Sequence, residues 1–350
     1  MSERTGEQLA KQEEMRRKSM NEIEQRISDG RIPWSTLTKR KGYEEVWTPS
    51  SIVPHTAHGA IAKEMASLSR EIRIVLIGDT LTEEALPTYT HFLTSIEGMP
   101  DPHDSSLQQW IRAWSAEEER HGTLLDRILF MSEAVDMGAY ERSKHMLIDD
   151  GMQIGTENDP YSSFYYTAFQ ERATQVSHAN VAKIATDCNA PLIAKACRTI
   201  AGDEGMHAIM YSNFVKTALE IDPNGMIETI RDMMKNRVVM PAHLMREVRS
   251  DTHEVTQAGP AFSAFSDTAQ QVGVYTTKDY DRISGKLLTE WDLAHTDDHD
   301  VWQVSERSDL SEDGREALAM CVRIQNIIHK KATNFVAPEL PDHEFSWVLN

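Results

Sequence analysis

The chain has 350 residues, of which 40% are hydrophobic and 26% charged, and its formal net charge is −19. That length supports a sizeable core in one large or two small domains, and the composition is that of a soluble globular protein. Strong acidity argues against nucleic acid and anionic membrane surfaces as partners, and no apolar run approaches the length of a membrane span.

The first residues, MSERTGEQLAKQEEMRRKS, mix both charge signs and lack an apolar run. They resemble neither a secretory signal nor an acid-poor transit peptide, so a cytoplasmic location is expected. Strict alternation is scarce and a 3.6-residue period dominates, which predicts an all-α fold. In chain order the helices are expected over 5–28, 58–77, 81–96, 105–134, 138–150, 161–187, 190–220, 224–236, 262–272, 277–291 and 311–332. Turn signals separate them: GDT at 78–80, GMPDPHD at 98–104, TENDP at 156–160 and DPNG at 222–225. The polar, weakly periodic segment 246–260 predicts a surface loop. The Asp- and His-rich stretch 293–310 predicts another, since composition without ligand spacing is a weak metal signal.

Cys188, Cys197 and Cys321 form no C-x-x-C and leave an odd count, so free thiols in a reducing compartment are expected and an iron–sulfur cluster is not. No G-x-G-x-x-G follows a strand pattern and no P-loop is present, so no nucleotide site is visible.

Two tetrads stand out, in AEEERHG (116–122) and DEGMH (203–207). On the first helix Ile111, Trp114, Glu118, His121, Leu125 and Ile128 share one face. On the second, the face runs through Ile193, Cys197, Ile200, Glu204, His207, Tyr211 and Phe214. With 14 histidines in the chain one Glu-x-x-His is expected by chance, but two on the apolar seams of long helices are not. Residues i and i+3 share a helix face, so each pair can aim at one point. A buried carboxylate without a partner costs several kcal/mol, and no Arg or Lys lies in register to pair with it. A metal answers the cost, and carboxylate plus imidazole without thiolate favours iron, manganese or zinc.

Ferritin-like di-iron bundles place Glu-x-x-His on two helices and a single Glu on each of two others. Glu171 fits the first single position, on a face with Phe164, Ala168 and Thr174. Glu83 and Glu84 compete for the second, and Glu83 could instead close a capping box with Thr80. The 83–118 and 171–204 spacings each suit a helix returning antiparallel, and the longer 118–171 spacing suits a crossover. Four carboxylates are neutralised by two divalent cations, which makes their burial tolerable.

The motifs LTEEALPTY, RAWSAEEERHG, TENDPY, FQERAT, DEGMH, MPAHLM, GVYTTKDY and the terminal FSW, met in that order from about Trp47 onward, resemble those of the soluble acyl-acyl-carrier-protein desaturases. These are the plant stearoyl type and its bacterial relatives in the ferritin-like di-iron superfamily. The resemblance implies a ferritin-like four-helix bundle with additional helices. One domain, 1–350, would comprise a peripheral N-terminal helix in 1–35, a metal-binding bundle in 58–220 and C-terminal helices in 221–350 packing on it. It selects Glu83 over Glu84 and implies a ligand set of Glu83, Glu118, His121, Glu171, Glu204 and His207 for two Fe2+ ions per chain. It further implies a role for Thr174 beside the oxygen site, and a path from the surface to His121 through Trp47 and Asp203; plain packing is the alternative for Trp47. A carboxylate behind a ligand imidazole is physically reasonable in itself.

The implied reaction removes two hydrogens from an unactivated methylene pair, chemistry that acid–base groups cannot do and a cofactor must carry. The implied partners are O2, ferredoxin as electron donor and an acyl carrier protein bearing a saturated chain, with the enzyme a homodimer. The implied channel is lined by Phe92, Ile96, Ile154, Thr156, Ser163 and Phe164. Plant members usually carry Met, Pro and Gly where this chain has Phe92, Ile154 and Ser163, so a chain-length or positional preference different from stearoyl is expected, in the shorter direction. The 246–260 segment is longer than in the plant enzymes and lies in the region that docks the carrier. Carrier proteins and ferredoxins are acidic, as is this chain, so docking needs local basic patches; Lys39, Arg40 and Lys41, or Lys235 and Arg237, are the candidates, with ordinary solvated charge as the alternative. A di-iron hydroxylase or N-oxygenase would share these ligands and differ in product. An iron-storage bundle would need fewer residues after His207 than this chain has.

Overall fold

The structure, a computed structural model, describes residues 6–101, 103 and 105–349; Thr5 of the first expected helix and Pro102 and Asp104 of the expected 98–104 turn lie outside them. The chain begins with α1 (Gly6–Ser28) and the short helices α2 (Leu37–Lys41) and α3 (Pro49–Ile52). Then come α4 (His58–Ser67), α5 (Arg70–Glu84), α6 (Leu86–Thr94), α7 (Ser106–Ser132) and α8 (Met137–Asp150). Two long helices, α9 (Pro160–Asp187) and α10 (Pro191–Ile221), are followed by α11 (Pro223–Asn236), α12 (Pro260–Gln271) and α13 (Thr277–Glu290). A hairpin of β1 (Ala294–Thr296) and β2 (Trp302–Val304) precedes α14 (Glu312–Thr333). The fold is all-α apart from this small sheet, and no helix among the described residues is long and apolar enough to cross a membrane.

α9 and α10 pair along their length, α5 packs on α7, and α7 touches α10, so these four helices form the bundle. Their starts are written in the sequence. Asp159 accepts from the Ser162 N–H ahead of Pro160, and Ser105 accepts from that of Gln108, the N-cap and N1-proline signals that the helix termini require. α12 lies against α5, α11 against α9, α10 and α14, and α13 against α9. Two apolar clusters result. One surrounds α4, α5, α8 and the far halves of α7 and α9; the other surrounds α1, α11, α13, α14 and the near halves of the same helices. The polar layer described below lies between them.

Several expected boundaries differ. The helix expected over 58–77 is broken at Leu68, and Ser69 caps α5 through the Ile72 N–H. The GDT turn at 78–80 and the helix start at 81 do not exist, because α5 runs through them to Glu84. Gly78 is there for close packing: a Cβ on it would overlap the Phe265 ring of α12. Thr80 caps nothing; its hydroxyl donates to Leu76 O at 2.6 Å in mid-helix. α5 stops where Pro87 would meet the carbonyl four residues back, that of Glu83, and at this end Thr82 O accepts from both the Ala85 N–H at 3.3 Å and the Tyr89 hydroxyl at 2.5 Å.

The loop expected at 246–260 is pinned at its start. Glu247 is fully buried, accepting from Ser346 N and Oγ at 2.6 Å each and lying 2.8 Å from His343 Nε2. The C-terminal segment that covers Glu247 is distant in sequence, so the burial of this end was not visible locally, while 251–255 are exposed as a surface loop. The stretch 293–310 holds the hairpin, with Ala294, His295 and Thr296 opposite Val304, Gln303 and Trp302. Strands of three residues are too short to show alternation.

Candidate metal centre

Glu83 of α5, Glu118 and His121 of α7, Glu171 of α9, and Glu204 and His207 of α10 are all buried and converge at mid-bundle. Their ligand atoms form two groups, each within 4.8 Å: Glu83, Glu118, His121 and Glu204, and Glu118, Glu171, Glu204 and His207. Glu118 and Glu204 belong to both. Glu118 turns Oε2 to His121 Nδ1 at 3.3 Å and Oε1 to His207 Nδ1 at 2.8 Å, as a bridging carboxylate would. Glu84, the competitor of Glu83, turns away to Lys144 Nζ at 2.7 Å. The side chain that periodicity could not choose is thus separated by the course of α5 past α7 and α8.

The residues fit a pair of divalent cations. Glu118 Oε1, Glu204 Oε1, His121 Nδ1 and His207 Nδ1 are buried and face one another, Glu118 Oε1 2.8 Å from His207 Nδ1 and Glu204 Oε1 3.2 Å from His121 Nδ1, without forming an aligned hydrogen bond, a costly condition unless something binds them. The donor set is all oxygen and imidazole, the chemistry of iron, manganese or zinc. In its metal-free form the cluster holds protons. Burial and the Glu204 charge push Glu118 up, and the same two causes push Glu171 well above the carboxylate range. Burial disfavours the charged imidazolium of His121 and His207, but Glu118 and Asp203 around the first, and Glu117, Glu118 and Glu171 around the second, outweigh it and hold both well above the ordinary histidine range. Glu83 is the exception: burial opposes its charge, yet hydrogen bonds from His121 and His178 bring it to about 2. Cations entering must displace the shared protons, so loading should release protons and weaken as pH falls.

Around these six residues lie further groups, of which Trp114 and Thr174 fall on the helix faces that periodicity traced. The Trp114 indole N–H donates to Glu171 Oε1 at 3.1 Å, and His178 Nε2 lies 2.8 Å from Glu83 Oε1, so each unshared carboxylate has its outer oxygen held. Glu117 Oε2 lies 3.0 Å from His207 Nε2. His178 is legible, falling in register with Glu171 at i+7 and Thr174 at i+4; Glu117 is not, because its one partner on the same helix, Arg120 at i+3, reads equally as an ordinary surface ion pair. Asp79, buried beside Ser177, is raised to about 6 by burial, with Glu83 adding to the shift. Thr174 places its hydroxyl 2.8 Å from Glu204 Oε2. Trp47 donates its indole N–H to Asp203 Oδ2 at 2.9 Å, and the same oxygen lies 3.3 Å from His121 Nε2.

A cavity opens beside the cluster, with Glu83, Glu118, Glu171 and Glu204 at its floor and Tyr89, Phe92, Leu93, Met152 and Tyr166 among its walls. Phe92 lines it and meets Tyr166 edge-on at 6.3 Å. The other expected channel residues do not line it. Ile96 and Phe164 are buried in the neighbouring apolar cluster, with Phe164 on Phe214 at 5.0 Å, and Ile154 is half-buried against that cluster. Ser163 and Thr156 are buried, and their carbonyls accept from Thr167 Oγ1 and Ser162 Oγ. Lys39, Arg40 and Lys41 are exposed on α2, where Lys39 Nζ sits 4.7 Å above the Trp34 ring. Lys235 and Arg237 are exposed at the end of α11, Lys235 lying 3.8 Å from Asp232. The three cysteines are free.

The fatty acid desaturase family profile matches residues 32–349. The chain is 38% identical over 329 residues to stearoyl-[acyl-carrier-protein] 9-desaturase 2, chloroplastic, of Arabidopsis thaliana, covering 89% of this chain and 76% of that protein. It is 37% identical over 326 residues to the Ricinus communis stearoyl-[acyl-carrier-protein] 9-desaturase, covering 90% and 78% respectively. It is also 37% identical over 331 residues to palmitoyl-[acyl-carrier-protein] 4-desaturase 3 of Ophrys sphegodes, covering 90% and 78%. Among solved structures, that of DesA2 from Mycobacterium tuberculosis H37Rv, named as an acyl-ACP desaturase, shares the fold with a TM-score of 0.50 at 18% identity, over 78% of this chain and 94% of that one.

Proposed function

Because the chain belongs to the fatty acid desaturase family, we propose that it desaturates a saturated acyl chain carried on acyl carrier protein, at a buried pair of ferrous ions held by Glu83, Glu118, His121, Glu171, Glu204 and His207. The observation that carries the reading is the pair of ligand groups sharing Glu118 and Glu204 at the floor of an apolar-walled cavity. The overall reaction takes two hydrogens from adjacent methylenes and consumes one O2, two electrons and two protons, releasing two waters.

The bound iron pair supplies O2 reduction and the oxidising power that an unactivated C–H bond demands. The protein's residues supply the rest. Glu118 and Glu204 hold the two positions at a fixed separation, and Trp114 and His178 keep the outer oxygens of Glu171 and Glu83 from swinging. Asp203 and Glu117 accept hydrogen bonds from the Nε2–H groups of the two imidazoles, which would leave Nδ1 to face the metals. The Thr174 hydroxyl keeps a proton donor at Glu204 Oε2, on the cavity side. Aromatic and aliphatic walls exclude water and hold the chain beside the cluster.

The electron donor in this reading is ferredoxin, reaching His121 through Trp47 and Asp203, with Lys39, Arg40 and Lys41 offering it a basic face and Lys235 and Arg237 offering one to the carrier. The enzyme works as a homodimer in a reducing, cytoplasmic setting. Docking of acidic partners on an acidic protein should weaken with salt; turnover insensitive to ionic strength would count against these patches. The reading as a whole is tested by anaerobic loading with ferrous iron, reduction, and addition of O2 and acylated carrier, followed by mass spectrometry of the released fatty acid. Loss of two mass units is expected. Gain of an oxygen atom would make the protein a hydroxylase, and iron uptake into a large cage on a sizing column would make it a storage protein.

A further inference from the structure

The two ligand imidazoles are held by carboxylates from each other's helices. Asp203 on α10 backs His121 on α7, with Oδ2 to Nε2 at 3.3 Å, and Glu117 on α7 backs His207 on α10, with Oε2 to Nε2 at 3.0 Å. Between the two carboxylates stands one guanidinium. Nη2 of Arg120 lies 3.4 Å from Glu117 Oε1 and 3.7 Å from Asp203 Oδ2, and the residue is only 8% exposed. We infer that Arg120 is a positioning residue shared by both metal positions: it braces the carboxylates behind the two ligand histidines and ties the surface segment 37–47 to both.

The tie to the segment is made at each of its ends. Arg120 stacks over the Trp47 ring at 4.6 Å and donates from Nη1 to Trp47 O at 3.1 Å, while the Trp47 indole donates to Asp203. At the other end the Leu37 N–H donates to Glu117 Oε1 at 2.5 Å. The surface between, including the exposed Lys39, Arg40 and Lys41, is therefore fixed to a network that ends on both imidazoles.

The electrostatics require such a cation. Glu117 and Asp203 bring two negative charges beyond the four that two divalent cations would balance, and both lie within 4 Å of the same nitrogen. Without the guanidinium they repel each other in a poorly solvated site, and each loses the positive charge nearest to it. A fork of planar donors can serve two carboxylates and an aromatic face together; an ammonium cannot do all three.

This inference rests on the metal-pair reading, so the test separates the two. Purified full-length protein is titrated anaerobically with Co2+ and followed by visible absorbance, which reports occupancy and ligand field without turnover. The native chain should bind two ions; if it binds fewer, the metal-pair reading fails. Outer partners of metal ligands are worth about 10–100-fold in affinity. Arg120→Gln should therefore weaken both binding events by roughly that factor and shift both bands, with Arg120→Lys recovering part of the loss. Glu117→Gln and Asp203→Asn should each weaken only one event. A native protein with two sites and an Arg120→Gln variant that titrates identically, or that loses only one event, would overturn the shared role. If Arg120→Gln fails to fold by circular dichroism, the other two variants decide: native-like binding of both ions by both of them also refutes the brace.

Discussion

Glu118→Gln removes a carboxylate that both ligand groups share, whereas Glu83→Gln and Glu171→Gln each remove one that a single group uses. Four carboxylates balance two divalent cations, so any of these changes leaves excess positive charge in a site with almost no access to water. Removing one partner of a buried ionic set costs about 3–5 kcal/mol, or roughly two to four decades in affinity for each ion touched. Glu83→Gln should accordingly empty the position beside His121 and spare its neighbour, and Glu171→Gln the reverse. Glu118→Gln touches both positions and should empty both. The assay is anaerobic loading with a few-fold excess of ferrous iron, desalting, and metal counting by plasma mass spectrometry, with far-ultraviolet circular dichroism on the same samples to confirm folding. The expected counts are two ions for the native chain, one for each single-group variant and near zero for Glu118→Gln. A folded Glu118→Gln protein that keeps one ion while Glu83→Gln keeps none would refute the distinction between shared and terminal carboxylates.

Trp114→Phe deletes the N–H that holds Glu171 Oε1; a hydrogen bond to a charged acceptor is worth about 1.5–3 kcal/mol, so one of the two ions should bind about tenfold or more weakly in the same metal count, and unchanged affinity at both would deny Trp114 that role. Asp79 is raised to about 6 by burial, so as an ionising carboxyl it costs stability as pH climbs through that value, up to about 3 kcal/mol above it. Asp79→Asn should melt higher than the native protein at pH 8, with the difference shrinking toward pH 5; a pH-independent difference would contradict the shift. Gly78→Ala should destabilise by about 1–3 kcal/mol through overlap with Phe265, against a gain of about 1 kcal/mol in helix propensity. Chemical denaturation measures it, and Phe265→Leu should restore the loss if the ring is its cause. Phe92→Ala enlarges the cavity wall and should move the acyl-length optimum of turnover toward longer chains; an optimum that stays in place, or a native optimum at eighteen carbons, would remove Phe92 as a limit on length.

Local periodicity was sufficient for the long helices and for most of the buried layer of carboxylates and imidazoles they carry. An i, i+3 pair on an apolar seam announces itself because helix geometry alone puts both side chains on one face, as at Glu118 and His121 or Glu204 and His207. The same rule could not separate Glu83 from Glu84, since neighbours on a helix differ by a rotation that only packing converts into inside or outside; α7 and α8 decided it, one carboxylate facing the histidines and the other Lys144. It also read Gly78, Asp79 and Thr80 as a turn, because these residue types favour turns wherever tertiary contact does not overrule them, and here the Phe265 ring does. Trp114, Glu117, Arg120 and His178 owe their roles at the centre to partners on other helices or on the 37–47 segment. Which side chain lies opposite which depends on the offset and rotation of two helices, and neither helix carries that information alone. The amino-acid order by itself settled what each helix offers to the interior; how those offers meet was left to the packing of the helices against one another.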